Sequence, residues 1–276
     1  MVKFIDKILD RPIVSTVGFL VLDIVVMGIF INIFKSIFDF LIPSFGSNLI
    51  SSLSSIIVAL IFLFIYKWYM RDKLQNLLSL KNFKFALILL IPSLIFIIGN
   101  LVSNYIDGNF TFNALIIVLG LGPGISEEIV FRGFILSNLM RIRKNRNLSI
   151  YWIACLSAIP FGFVHLFNIA VGANVNYSLA QMFFTICLGF LFAGVYLRTG
   201  NLIVPIISHS LIDITGLCNV ESLNSSIAGL ISQAPGFYDY VFMISGSLIA
   251  LAFGLYYIRK EKWADIDKSW EDIVIE

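Results

Sequence analysis

Residues Gly122 to Gly133 read GPGISEEIVFRG and put two adjacent glutamates and an arginine inside an apolar run from Ala114 to Met140. A charged side chain near a bilayer centre costs roughly 2.5–3.5 kcal/mol on insertion scales, so such groups face a bundle interior or a wet site and are functional candidates by default. Whether that run lies in a membrane is answered by the rest of the chain. The 276 residues are 59% hydrophobic and only 13% charged, and runs of about 20 apolar residues, the length that crosses a bilayer, recur along them.

The pattern predicts an all-α polytopic membrane protein, one membrane domain over 1–276 with about eight transmembrane helices. The expected spans are Val14–Phe34, Leu49–Tyr69, Phe83–Val102, Ala114–Met140, Leu148–Val171, Tyr177–Leu197, Leu202–Val220 and Tyr238–Ile258. The first follows a short basic leader, is too long for a signal-peptide core and reads as a retained helix. Of the 19 Lys and Arg, 17 fall on one side of this arrangement, including Arg141, Arg143, Lys144 and Arg146. By the positive-inside rule both termini are expected in the cytoplasm of a multi-pass plasma-membrane protein. The tail 259–276, with Trp263 and Trp270, is expected at the cytoplasmic interface. The net charge of +2 is a matter of topology and gives no reason to invoke nucleic acid. Cys155, Cys187 and Cys218 lie in or at the ends of spans and read as small buried hydrophobes.

The ionisable groups inside spans are then the informative ones. Span one holds Asp23, with Lys35 and Asp39 nearer its outer end; these three read as a structural pair or an interfacial contact, outside the site. Span four holds Glu127, Glu128 and Arg132. Span five holds His165, and span seven His209 and Asp213; these are the only two histidines in the protein. Residues four apart share a helix face, so Glu128 and Arg132 can pair. Glu127, about 100° round a helix of 3.6 residues per turn, is left without that partner and is nominated as general base. His209 and Asp213 share a face, as do Phe161 and His165. At about 1.5 Å per residue, Glu127 stands roughly 20 Å, His165 roughly 25 Å and His209 roughly 10 Å above the basic side, depths that permit convergence. Gly120, Gly122, Pro123 and Gly124 are expected to break or kink span four and to aim a helix N-terminus, at Ser126 and Glu127, into the site.

Several intramembrane chemistries are excluded: the chain has no His-Glu-x-x-His zinc helix, no Gly-x-Gly-Asp, no Gly-x-Ser-x-Gly elbow and no P-loop. What it has, in order, is EEIVFR (Glu127, Glu128, Arg132), FGFVH (Phe161, His165) and HSLID (His209, Asp213). This resembles the CAAX protease and bacteriocin-processing family, the CPBP or Abi group, whose pattern is Glu-Glu-x-x-x-Arg, Phe-x-x-x-His, His-x-x-x-Asn/Asp. The resemblance covers about 114–220. It implies a CAAX-type II endopeptidase-like core and intramembrane hydrolysis of a peptide bond in a membrane-associated substrate. In it Glu127 activates water with His165, Glu128 and Arg132 support Glu127, and His209 with residue 213 stabilises the oxyanion. Phe161 is a weak substrate-binding candidate. CAAX-processing members carry Asn where this chain has Asp213. An ionised Asp cannot donate to an oxyanion; Asp213 would act protonated, orient His209, or bind a metal. Glu127, His165, His209 and Asp213 form a His₂-carboxylate set that would suit zinc, and a metal-free glutamate mechanism is the alternative. Bacterial relatives imply maturation of, or immunity to, bacteriocin-like peptides, or peptide-signal processing. A non-catalytic immunity or scaffold protein and a proton-coupled transporter are the competing readings.

Overall fold

In the computed structural model the described residues, 9–41, 47–70, 78–108, 110–218 and 237–273, are helical in every long element. The helices are α1 Pro12–Leu41, α2 Ser47–Met70, α3 Phe83–Leu89, α4 Leu94–Ile106, α5 Ala114–Glu128, α6 Ser137–Arg146, α7 Ile150–Phe163, α8 Val175–Thr199, α9 Ile203–Gly216, α10 Phe237–Tyr257 and α11 Trp263–Trp270. A helix or bent helix stands at each of the eight expected positions. Length and composition qualify five of them as membrane-crossing, or six if α3 and α4, bent by 47° at their break, form one span. Both counts cover the described residues alone. The clearest shortfall is α9, whose 14 residues reach only about 21 Å against a hydrocarbon core of about 30 Å. The chain is a multi-pass, all-helical membrane protein.

Span four departs most from expectation. Pro123 sits inside α5 and the α-helix runs on to Glu128 without a break there. Ser126 and Glu127 therefore lie in the last turn of a continuous helix, and no helix N-terminus points from them into the site. The irregularity comes later, as a π-helix over Ile129–Leu136. That wider turn is tolerated because neighbouring hydroxyls take backbone carbonyls in it. Ser157 Oγ donates to Phe131 O at 3.0 Å, and Ser137 Oγ donates to Arg132 O at 3.1 Å. All eight residues of the segment are buried.

The glycines serve helix packing. A Cβ on Gly124 would lie 2.7 Å from Ser210 N and 2.9 Å from its Cα, and one on Gly120 would lie 2.6 Å from Ile214 N. Gly120 and Gly124 thus form a small-x-x-x-small seam that lets the backbones of α5 and α9 approach closely. The approach carries His209 to the level of the glutamates. Gly124→Ala is expected to push α9 away, destabilising the fold by about 1–3 kcal/mol as overpacking does. Thermal unfolding in detergent, with cleavage measured alongside, checks this; an unchanged melting temperature would mean the seam is slack.

The bulk packs in two groups. Around the π segment gather Ile150, Ile153, Ala154 and Phe161 of α7 with Tyr196 and Leu197 of α8. Around the middle of α8 gather residues of α3, α4, α9 and α10. The tail docks against the helices. Ile266 and Trp270 of α11 are buried, Trp270 Nε1 donates to Leu197 O at 3.0 Å, and Arg143 pairs with Asp267 at 2.8 Å. Lys81 Nζ, bonded to Asp272 at 2.6 Å, holds that exposed carboxyl below its ordinary value.

Candidate active site

Three elements supply the predicted polar residues: the end of α5 with the π segment, the end of α7 with its 3-10 extension Val164–Val171, and α9. Glu128 and Arg132 pair at 2.8 Å with both side chains fully buried, the spacing-based expectation realised across the α-to-π transition. Arg132 Nη2 also donates to Gly189 O at 3.2 Å. Its guanidinium lies over the Phe161 ring at 4.5 Å and faces the Phe192 ring at 5.6 Å, contacts that favour a planar cation in a dry setting.

Glu128 Oε1 also meets His209 Nδ1 at 3.0 Å. The acid–arginine pair therefore holds the imidazole of α9, whereas the resemblance had it supporting Glu127. With Nδ1–H donated to Glu128, the far nitrogen, Nε2, faces two further carboxylates. Glu127 Oε2 lies 3.7 Å and Asp213 Oδ2 3.6 Å from it. These separations exceed direct hydrogen bonds and leave His209 Nε2 turned towards the gap between two acids. Glu127 and Asp213 side chains are 30% and 28% accessible, His209's only 7%. The expected division holds: Glu128 is sequestered with its counter-ion and Glu127 is the reachable carboxylate.

Phe161 connects the two histidines. It is fully buried, with ring centroids 5.5 Å from His165 and 5.7 Å from His209, both edge-on. His165 lies beyond the last residue of α7, in the 3-10 stretch, with Nδ1 3.0 Å from Phe161 O. Donation there leaves Nε2 as an acceptor. Phe161 is the packing post of the cluster, a role that fits its burial better than substrate contact. Glu127, Glu128, Arg132, His165, His209 and Asp213 are thus brought into one constellation.

Among the described residues, no group of three or more His, Cys, Asp or Glu side chains is placed to hold a metal ion. The set Glu127, His165, His209 and Asp213 does not assemble as ligands in this geometry.

Two residues outside the sequence-predicted set approach the site. Asp23, expected to be structural, is half-buried on α1 with Oδ1 inaccessible and unpartnered, and its charge reaches Glu127. It shares a face with Phe19, Leu20, Val26 and Phe30, which pack towards the π segment. The side chains of Lys35 and Asp39 lie outside the described set. Tyr177, at the start of α8, is within reach of Asp213's charge. No spacing rule could nominate either, because the partner stands on another helix.

In comparison with known families, residues 109–215 fit the model of the family described as type II CAAX prenyl endopeptidase, Rce1-like, consistent with the CPBP group. The matched segment contains all six polar residues of the constellation. No curated protein and no solved structure matches the chain.

Proposed function

We propose that this chain, whose residues 109–215 match the model of the Rce1-like type II CAAX prenyl endopeptidase family, is an intramembrane endopeptidase that uses Glu127 to activate water. The observation that carries the reading is a reachable carboxylate, Glu127, beside an imidazole whose other nitrogen is anchored on a fully buried acid–arginine pair. A general base must be free to meet its water, and an oxyanion donor must be held in place.

In this mechanism a substrate carbonyl enters the gap bordered by Glu127, His209 and Asp213. Glu127 takes a proton from water as the water oxygen attacks the carbonyl carbon, and His165 helps hold that water. The developing oxyanion is met by His209 Nε2–H, available when the imidazole is protonated on both nitrogens, since Nδ1–H is given to Glu128. The C–N bond then breaks and the proton held by Glu127 passes to the leaving amine. Asp213 keeps negative charge beside His209, favouring the imidazolium that donates. Asp213→Asn, which installs the residue of CAAX-processing relatives, is expected to keep cleavage within about tenfold, because an amide can itself donate to the oxyanion. Asp213→Ala supplies neither charge nor donor and is expected to lose about 10²–10³-fold in kcat, as loss of one oxyanion donor does. Steady-state kinetics of the two variants check the order; equal large losses would mean that an amide cannot replace the carboxylate, and full activity in both would remove Asp213 from the mechanism.

The substrate is a membrane-associated peptide or protein. Bacteriocin-like peptides and peptide signals are the favoured class over prenylated proteins, in a bacterial plasma membrane, and the charge asymmetry supports both termini in the cytoplasm. A chelator decides whether a divalent metal takes part. The test is cleavage of a hydrophobic leader-peptide library by the purified protein in liposomes, beside His165→Ala and His209→Ala, with and without chelator. Cleavage lost in both variants supports the site. Peptide binding without cleavage by any form favours the immunity or scaffold reading, and flux driven by a proton gradient favours the transporter.

A further inference from the structure

The helix that carries His209 and Asp213 is too short to set its own depth. α9 has 14 residues, about 21 Å, so matching to a hydrocarbon layer of about 30 Å cannot fix it. Tilt and rotation must then come from neighbouring helices. At 100° per residue α9 presents four faces. His209 and Asp213 turn to the acids; Ser210 and Ile214 meet the glycine seam; Ile207 and Leu211 are exposed. The fourth face, Ser208, Ile212 and Thr215, meets the bent pair α3–α4.

That fourth face is held by hydrogen bonds to side chains and to backbone carbonyls. Ser208 Oγ donates to Ser93 Oγ at 2.8 Å, and Ser93 Oγ donates onward to Leu90 O at 2.6 Å. Asn100 Nδ2 donates to Ile212 O at 3.1 Å and to Thr215 Oγ1 at 3.3 Å. Asn104 Nδ2 donates to Thr215 O at 2.9 Å. Ahead of α9, Asn201 Nδ2 donates to Ser79 O and Lys81 O, both at 3.0 Å, just before α3. The 47° bend sits at Leu90, just before the 3-10 turn Ile91–Ser93 that opens the second half, and Tyr257 Oη donates to Leu89 O there at 2.9 Å. The bend joins two differently inclined halves: α3 packs on α8, and α4 packs on α9. The contacts made by α9 itself each lie one residue before, or two after, a residue of the site: Ser208 precedes His209, Ile212 precedes Asp213, and Thr215 follows it.

We propose that the bent pair α3–α4 is a strap that fixes the depth and rotation of α9, with Ser93, Asn100 and Asn104 as positioning residues for His209 and Asp213. Ser93, Asn100 and Asn104 lie outside the matched segment 109–215, so the strap is supplied by the part of the chain that the family match leaves unread. Side-chain amides donating to backbone carbonyls suit this task. A carbonyl cannot rotate away from its helix, so the bond constrains the register of the whole element.

Because the protein has only two histidines, ¹⁵N-histidine NMR of the full chain in micelles reads His209 directly, with assignment from His165→Gln. Asn100→Ala is expected to move the His209 Nδ1 and Nε2 signals, which report the contact with Glu128, and to leave those of His165 in place. It is also expected to lower kcat about tenfold or more with KM within about twofold, the pattern of a misplaced group rather than a lost binding contact. Thr215→Val, nearly isosteric and lacking only the hydroxyl that Asn100 meets, is expected to shift the same signals less, and it keeps the test alive if Asn100→Ala does not fold. His209 signals unchanged in the folded variants would overturn the strap, whatever the activity does. The kinetic readout rests on the peptidase reading and the NMR readout does not. Shifted signals in a protein whose wild type cleaves nothing would sustain the strap and sink the peptidase.

Discussion

Glu127→Gln is expected to lower cleavage by about 10²–10⁴-fold, the range a positioned general base contributes, with little change in stability. The substitution keeps shape and hydrogen-bonding capacity but cannot take a proton from water. Glu127 is also the member of the acid pair that makes no ion pair with Arg132 among the described contacts: it faces His209 Nε2 at 3.7 Å. Removing its charge should therefore leave the Glu128–Arg132–His209 arrangement standing. Kinetics and thermal unfolding of one preparation separate the two effects. A variant that loses activity only in proportion to its folded fraction would take Glu127 out of the chemistry.

Arg132→Ala is expected to act in the opposite register, costing about 3–5 kcal/mol of stability because it leaves the charge of Glu128 buried without its partner. Glu128 is wholly inaccessible, and its Oε1 serves both Arg132 and His209, so the loss leaves the imidazole as the one remaining partner of that oxygen among the described contacts. The same change removes the donor to Gly189 O and the cation packed on Phe161 and Phe192. The double variant Glu128→Leu with Arg132→Leu removes both charges and is expected to recover much of the stability, since apolar replacement of a whole buried pair is often neutral or better. It should recover no cleavage, because His209 then has nothing to hold it. Denaturant unfolding in mixed micelles gives the stabilities. A single variant no less stable than the double would mean that the buried pair is not what Arg132 contributes.

The local part of the site was legible in the sequence because its spacings are local. Glu128 and Arg132, His209 and Asp213, and Phe161 with His165 each lie four apart, and helical geometry alone brings their members together. The anchoring of His209 on Glu128 was not legible, because those residues stand on different helices and spacing cannot say which faces meet. Gly120, Gly124 and Pro123 misled for a related reason. Glycine serves both a broken helix and a close helix–helix seam, and the choice is made by Ser210 and Ile214, far along the chain. Asp23 was passed over because α1 offers it no local partner. The strap gave no signal because Asn100 and Asn104 donate to backbone carbonyls, which every helix displays regardless of sequence. The number of crossings was overread for α9, where Leu202–Val220 counts as an apolar run but the helix itself ends at Gly216.

The most direct test of the central claim, that spans four, five and seven form one hydrolytic site around Glu127, is product analysis by mass spectrometry in ¹⁸O-labelled water. Wild type and Glu127→Gln, both purified into liposomes, are given the same hydrophobic leader peptides. The account predicts a defined new C-terminus carrying ¹⁸O with wild type, and intact peptide, still bound, with Glu127→Gln. The same labelled product formed at the wild-type rate by Glu127→Gln would contradict it.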